Sequence, residues 1–426
     1  MQTRIAAKYA DVPRIDEADA ILRSCVHCGF CNATCPTYLE LGDERDGPRG
    51  RIYLIKQLLE GHEVTTRTHT HLDRCLTCRN CETTCPSGVQ YGRLLDIGRD
   101  LIERQVRRPA RQRIARWLLK LIVPHRRRFG LLLFIGRMVR PALPAGLRAK
   151  IPPRRRSLPA RPRSTVVPAS NSSGPAGTAG SQGVRTMLVL DGCVQPSATP
   201  GTNEAAARVL AKLGIRLESV PRAGCCGALA YHLGDHLAAL RYARRNVDAW
   251  WPGIEGGAEA IAITASGCGP MIKDYGDLLA GDPAYAAKAA KVSALGRDIS
   301  EILRDEDLAR LRPTASGSKV AFHCPCTLQH GQKLGGVVED ILTACGFELA
   351  ATKDPHLCCG SAGTYSLLEP EMSRKLLGNK LAALTAARPD LIATANVGCQ
   401  LHIESAADLP VKHWIELIDE ANGSET

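Results

Sequence analysis

A chain of 426 residues has room for two or three domains, and with aromatics at only 4% its cores must be built mainly from Leu, Ala, Val and Ile. No stretch approaches the roughly 18 apolar residues of a membrane span, and the charged opening Met1–Ala10 has no apolar core, so neither a span nor a secretory or transit signal is expected. The net charge of +12 is local: residues 104–163 carry 19 Lys and Arg and no Asp or Glu, against 36 basic and 43 acidic residues elsewhere.

The 18 cysteines are accordingly expected in a reducing, cytoplasmic compartment, where metal ligation is their commoner use. Residues 16–24 read as a short helix that leads into the first of two matching runs. Cys25, Cys28, Cys31 and Cys35 precede Pro36; Cys75, Cys78, Cys81 and Cys85 precede Pro86. Both runs are C-x2-C-x2-C-x3-C-P, the spacing that holds two [4Fe–4S] clusters. A cubane needs four thiolates at tetrahedral corners. The C-x2-C-x2-C loop wraps three of them around one face, and the fourth cysteine, turned away by its proline, reaches the other cluster. On that pattern Cys25, Cys28, Cys31 and Cys85 serve one cluster, and Cys75, Cys78, Cys81 and Cys35 the other. The competing uses are a disulfide framework, disfavoured without a secretory signal, and a zinc pair, which needs only two C-x2-C knuckles. Between the runs, Pro48–Glu60 has apolar residues at helical spacing with proline in its first turn. Leu94–Gln105 reads as a further helix. The 39 residues between Cys35 and Cys75 are too many for a hairpin, so residues 1–105 are expected to form an α-helical ferredoxin domain.

Residues 106–156 form the basic segment. Arg111–Val123 places Ile114, Trp117, Leu118, Leu121 and Ile122 on one face, and after Arg126, Arg127 and Arg128 comes the apolar run Phe129–Gly136. Both pieces read as basic amphipathic helices suited to an anionic membrane surface or an acidic partner. Nucleic acid is not expected, because no aromatics are interleaved as a base-stacking platform. Residues 157–183, rich in Pro, Ser, Gly and Ala, read as a flexible linker.

The remaining ten cysteines belong to a tandem repeat, residues 184–312 and 313–426. Cys193 is followed after 31 residues by Cys225-Cys226-Gly227, and Cys326 after 31 residues by Cys358-Cys359-Gly360, an offset of 133. Cys268 and Cys399 then match at an offset of 131. Each unit alternates β-branched runs (Thr186–Leu190, Ala260–Thr264; Lys319–Phe322, Leu391–Thr394) with helices (Glu204–Leu213; Val337–Cys345), which implies an α/β unit with a mainly parallel sheet. The cysteines fall at strand carboxyl ends, where such sheets collect ligands. They are candidates for a further redox or metal centre, with packing as the competing role. Cys345, aligned with Leu213, reads as a buried apolar residue, and Cys324 as either ligand or packing. His323, His330 and His402 lie beside the second set, as ligands or as structural residues. No flavin or nicotinamide motif is found, and the fold class expected is α+β multidomain.

The stretches CVHCGFCNATCPTYLELGDERDGPRGRI, HLDRCLTCRNCETTCPSGVQYGRL, HLCCGSAGTYSLLEPEMS, TANVGCQLHI and VKHWIEL together resemble the heterodisulfide-reductase-like Cys-Cys-Gly family. That family includes anaerobic glycerol-3-phosphate dehydrogenase small subunits and lactate-utilisation proteins, and the nearest likeness within it is to bacterial glycolate oxidase (glycolate dehydrogenase) iron–sulfur subunits. One departure stands out: where the family pattern ends each unit in C-x2-C, this chain has Cys268 followed by Met271 and Cys399 followed by His402. The resemblance implies an electron-transfer subunit without a flavin of its own. FAD-containing partners would oxidise glycolate to glyoxylate, and electrons would pass to a quinone or another acceptor. The complex would sit peripherally on the inner face of the cytoplasmic membrane. The alternatives are the same role beside a D-lactate or glycerol-3-phosphate dehydrogenase, or a thiol/disulfide redox protein.

Overall fold

The computed structural model describes residues 1–144, 151–152, 167–168, 185–311 and 317–423. The first part is helical: α1 (Ile15–Ser24), α2 (Pro36–Leu41), α3 (Pro48–Leu59), α4 (Thr66–Asp73), α5 (Asn80–Thr84) and α6 (Tyr91–Gln105). Proline at the first turn of α2 and α3 gives up no needed hydrogen bond there. The apolar stripes of α1, α3 and α6 meet in one core around Leu22, Ile55, Leu58, Leu94, Leu95 and Ile102. The α6 helix begins three residues before the expected Leu94, because Tyr91 is itself a buried core residue.

The basic segment forms α7 (Ala110–Ile122) and α8 (Arg126–Val139). The expected amphipathic faces are present, and they point outward. Helix α7 buries no residue and α8 buries only Leu133. Trp117 is 58% exposed and Phe134 61%. Several charges of the segment are spent inside the molecule: Arg108 pairs with Asp73 and Glu103, Arg116 with Asp73, and Lys120 with Asp235.

The second half holds two parallel sheets. The first has order β1-β3-β2-β4-β5, from β1 (Val167–Pro168), β2 (Arg185–Val189), β3 (Ile215–Ser219), β4 (Ile261–Ile263) and β5 (Gly296–Asp298). The second has order β7-β6-β8-β9, from β6 (Lys319–His323), β7 (Glu348–Leu349), β8 (Leu391–Thr394) and β9 (Val411–His413). The expected linker 157–183 lies outside the described residues except at 167–168, and those two residues run as strand β1 beside Glu218 and Ser219. An edge position suits Pro168, which has no N–H to offer a neighbour.

Strand alternation sorts the side chains of each sheet into two layers. Met187 and Val189 of β2, and Val320 and Phe322 of β6, enter one core shared by both units. Leu188 and Ala321 face the other way, into separate outer cores. The helices Gly201–Lys212 and Trp414–Ala421 close the shared core, joined at its edge by Arg208 and Asp419 at 2.7 Å. The fold is thus α+β: a helical ferredoxin part followed by two α/β units packed as a pair.

Candidate functional site

The two N-terminal cysteine loops have the same backbone. His27 (φ 60°) and Gly29 (φ 91°) are left-handed in the first, and Thr77 (φ 54°) and Arg79 (φ 59°) are left-handed at the equivalent places of the second. Two such turns per loop curl three cysteines around one point, at a cost of about 1 kcal/mol for each non-glycine residue. At Gly29 a Cβ would lie 2.7 Å from Arg49 Nη1, so a side chain there would also have to displace the end of that arginine.

The thiols gather in fours. The Cys31 thiol is pushed up to about 11, first by burial and then by the neighbouring Cys25, Cys85 and Cys28. These four line one small cavity. Burial likewise pushes Cys78 and Cys81 well up, and the cysteines around them are Cys75 and Cys35. The fourth cysteine of each run therefore lies with the other run's first three. The side chain of Arg51 is wholly buried against the second set, with Nη1 3.9 Å from Cys35 Sγ and Nε donating to the His71 carbonyl at 2.7 Å. All the cysteines are free thiols. Four soft sulfur donors converging in an apolar shell fit an iron–sulfur cluster.

In the second half the four thiols of each unit form a chain in the same way, the two cysteines of the pair being hydrogen-bonded to each other at its centre. The first cysteine of a pair turns to the unit's leading cysteine and the second to its last. Cys225 thus meets Cys193, while Cys226 meets Cys268. Cys358 Sγ lies 4.0 Å from Cys326 Sγ, and Cys359 meets Cys399. Hydrogen bonds from Cys193 and Cys226 hold Cys225 well below the ordinary thiol value. The glycine after each pair is left-handed, and at Gly360 a Cβ would sit 2.6 Å from the Ser373 carbonyl oxygen.

These sets adjoin one another. Cys78 of the second N-terminal loop neighbours Cys326 and Cys358. Leu76, Cys358, Tyr365 and Leu376 form a small buried cluster across that contact. Asn80 Nδ2 donates to the His356 carbonyl at 3.3 Å, Thr83 Oγ1 meets His330 Nδ1 at 3.0 Å, and Tyr365 OH donates to the Arg74 carbonyl at 3.1 Å. The first unit grips the same part through Arg14 Nη1, which donates to Tyr231 OH at 2.6 Å. A cavity of about 1580 Å³ between the three parts is lined by Cys78, Cys193, Cys225, Cys268, Cys326 and Cys399 among others.

Five further residues read from the sequence fall into place individually. Cys345 is buried in the shared core, and burial pushes its thiol up to about 11. Cys324 is also in that core, with its thiol pushed up by burial. His330 is tied to Thr83 and His402 Nε2 to Ser373 Oγ at 3.1 Å. His323 keeps a neutral ring, its pKa driven down to about 3 by burial. Sequence reasoning missed two buried cations. Arg51 lies beside Cys35, and Lys380 lies beside Cys358 and Cys359 with Nζ donating to the Asp354 carbonyl at 3.0 Å. Each stands on an apolar stripe, Arg51 four residues before Ile55 and Lys380 midway between Leu376 and Leu384. A charge at a core position was the available signal.

Residues 21–89 match the model of the 4Fe-4S dicluster domain, and residues 187–273 and 320–404 match that of the cysteine-rich domain. The chain is 53% identical over 421 residues to the glycolate oxidase iron-sulfur subunit of Escherichia coli, covering 99% of each. It is 30% identical over 444 residues to the probable glycolate oxidase iron-sulfur subunit of Bacillus subtilis, covering 97% of this chain and 96% of the relative. A lactate utilization protein A from Shouchella clausii is 22% identical over 53% of this chain. Matches this extensive, on a chain whose thiols gather in the sets described, show that it belongs to the family of glycolate oxidase iron–sulfur subunits.

Proposed function

We propose that this chain is the iron–sulfur electron-transfer subunit of a flavin-dependent glycolate oxidase complex, with substrate oxidation on FAD-containing partners and a quinone or other acceptor downstream. The observation that carries this is the packing of Cys78 and Cys326 against the buried cluster that holds Cys358, which sets the second N-terminal thiol set beside the second unit. Two [4Fe–4S] clusters are assigned, one to Cys25, Cys28, Cys31 and Cys85 and the other to Cys75, Cys78, Cys81 and Cys35. Cys193, Cys225, Cys226 and Cys268, and their counterparts Cys326, Cys358, Cys359 and Cys399, are assigned to a further metal centre. When bound, such clusters supply one-electron transfer at potentials set by burial and by hydrogen bonds to sulfur. The chain's own residues do the rest. Arg51 holds a fixed positive charge against Cys35, Leu76 and Tyr365 keep the junction apolar, and Asn80 and Thr83 fix one part against the other.

The working division is 1–105, 106–156, 157–183, 184–312 and 313–426. Among the described residues no helix is long and apolar enough to cross a membrane. We assign α7 and α8, with their outward apolar faces and exposed arginines, to the contact with an anionic membrane surface.

Purification of the native complex and identification of its flavoproteins tests the function, with an acceptor assay on glycolate, D-lactate and glycerol 3-phosphate. Acceptor reduction should follow glycolate; reduction with D-lactate or glycerol 3-phosphate alone would defeat the substrate assignment. About eight irons are expected on the eight N-terminal cysteines, two cubanes at four irons each. Cys28→Ser or Cys78→Ser should each remove one reduced-cluster resonance. A variant that keeps both resonances and full iron would show the ligand assignment to be wrong.

A further inference from the structure

Among the positions that face the thiols of the two Cys-Cys-Gly units, one changes from an apolar residue to a metal-ligating one. Just past β2 the first unit has Leu190, which packs in the apolar core with Cys226 and Cys268. The matching residue of the second unit, 133 positions on, is His323 at the end of β6. Its direction is set by the strand: Phe322 enters the shared core, so His323 faces the outer layer that holds Cys359 and Cys399. His323 is 2% exposed, and neither Nδ1 nor Nε2 has a hydrogen-bond partner among the described residues. A ring nitrogen of His323 and the Sγ atoms of Cys359 and Cys399 all lie within 4.8 Å of one another.

A buried polar group left without a partner costs on the order of 1–3 kcal/mol. Packing gives no reason to accept that cost where the sister unit uses leucine. A neutral imidazole with two thiols is instead the donor set of a borderline divalent ion. Of the unit's other two thiols, Cys358 is hydrogen-bonded to both Cys326 and Cys359, so it borders the site without being one of the three donor atoms that converge. The supporting shell is present as well, since Asn396 Nδ2 donates to Cys399 Sγ at 3.5 Å and so orients a ligand atom.

We propose that His323, Cys359 and Cys399 form a mixed imidazole–thiolate site for a borderline divalent ion, zinc first, which the first unit with Leu190 cannot form. The inference deepens the reading that the Cys-Cys-Gly units hold metal, and it rests on that reading. Binding releases the two thiol protons, leaves the imidazole neutral and moves no electron. The second unit thereby gains a redox-silent anchor that fixes Cys359 and so presents Cys358 to the N-terminal part.

The test uses the full chain with its N-terminal clusters in place, metal analysis of the chain as isolated, and anaerobic titration with Co²⁺ as a probe of the same geometry. One ion per chain is expected, zinc or the added cobalt, with thiolate-to-cobalt charge-transfer absorption that zinc abolishes. His323→Leu, which installs the first unit's own residue, should weaken Co²⁺ at least tenfold and leave the N-terminal cluster resonances unchanged. Cys399→Ala should abolish the charge-transfer band. A merely structural histidine gives the opposite pattern: H323L keeps wild-type affinity and gains thermal stability by removing an unpaired polar ring. That result overturns the proposal, as does a wild-type chain with neither zinc nor a Co²⁺ site. Loss of metal in Cys359→Ala but not in H323L likewise overturns the mixed site, while leaving the reading of the units as metal-holding intact. Unchanged metal content in both Cys359→Ala and Cys399→Ala defeats the underlying reading of the units as metal-holding.

Discussion

At the scale of single residues, Arg51 distinguishes the two N-terminal thiol sets. Its guanidinium is wholly buried beside Cys35, donates to Thr37 Oγ1 at 3.1 Å and lies 3.6 Å from Asp46, which His71 and Arg74 also hold. The other set lies nearer the surface, and Cys28 is exposed. A fixed cation in a dry site stabilises the more negative, reduced state of a neighbouring cluster. Arg51→Gln should therefore lower the midpoint of the Cys75 set by roughly 60 mV, a tenfold change for a one-electron couple. Arg51→Lys keeps the charge and should stay near wild type. Potentiometric titration followed by electron paramagnetic resonance reads both. Equal midpoints in wild type and R51Q would dismiss the electrostatic role. Iron content must be followed in parallel, because breaking a buried charge network costs about 3–5 kcal/mol. A second residue-scale expectation concerns Asp298. Burial raises its pKa from 3.8 to about 6, so the native state binds an extra proton between those values. Its contribution to stability is intact below that window and is lost as pH rises through it. Asp298→Asn keeps the helix cap that Asp298 provides to Ser300. It should raise the thermal midpoint at pH 7 and bring a smaller gain at pH 5, part-way through that window. A gain of equal size at both pH values would mean that charge is not the cause.

At the scale of elements, α7 and α8 show how far a charge count can mislead. The 19 basic residues of segment 104–163 suggest an anchor made of charge. Yet Arg108, Arg116 and Lys120 are tied to Asp73, Glu103 and Asp235 of the chain itself. What remains outward is a mixed surface in which Ile114, Trp117, Leu131 and Phe134 are exposed among arginines. Deleting the helices would strip partners from Asp73 and Asp235, so point changes test the membrane contact more cleanly. Trp117→Glu combined with Phe134→Glu should reduce sedimentation with anionic vesicles at least tenfold, while the ferredoxin resonances stay intact. Raised salt should weaken the wild-type association, because charge attraction at the surface is screened within about 8 Å at physiological ionic strength. Undiminished vesicle binding by the double variant, with salt also without effect, would remove these helices from the contact.

At the scale of the whole molecule, what was legible in the sequence is whatever leaves a spacing behind. Ligation by short loops leaves the two C-x2-C-x2-C-x3-C runs, and duplication leaves the 133-residue offset. Alternating strands and helices left the parallel sheets readable. Relations made only by folding leave no such trace. Cys78 and Cys326 are distant in the chain yet adjacent in space, and Met187 and Val320 share a core although each reads as belonging to its own unit. His323 was legible as a histidine beside cysteines, but only the parity of β6 separates it from His330, which turns to Thr83 instead. The same three-dimensional adjacency makes the two Cys-Cys-Gly pairs inequivalent, which yields a prediction about order. Cys326 and Cys358 touch the set that includes Cys78, whereas Cys193 and Cys225 face it across the central cavity. Cys326→Ala with Cys358→Ala should therefore perturb the resonance of the Cys75 set, and Cys225→Ala with Cys226→Ala should leave it unchanged. Both double variants should lower glycolate-dependent acceptor reduction at least tenfold if the two units act in series. A loss confined to the Cys326 and Cys358 variant would place the first unit on a side branch. Normal turnover in both would leave the second half as a scaffold that docks the ferredoxin part against its partners.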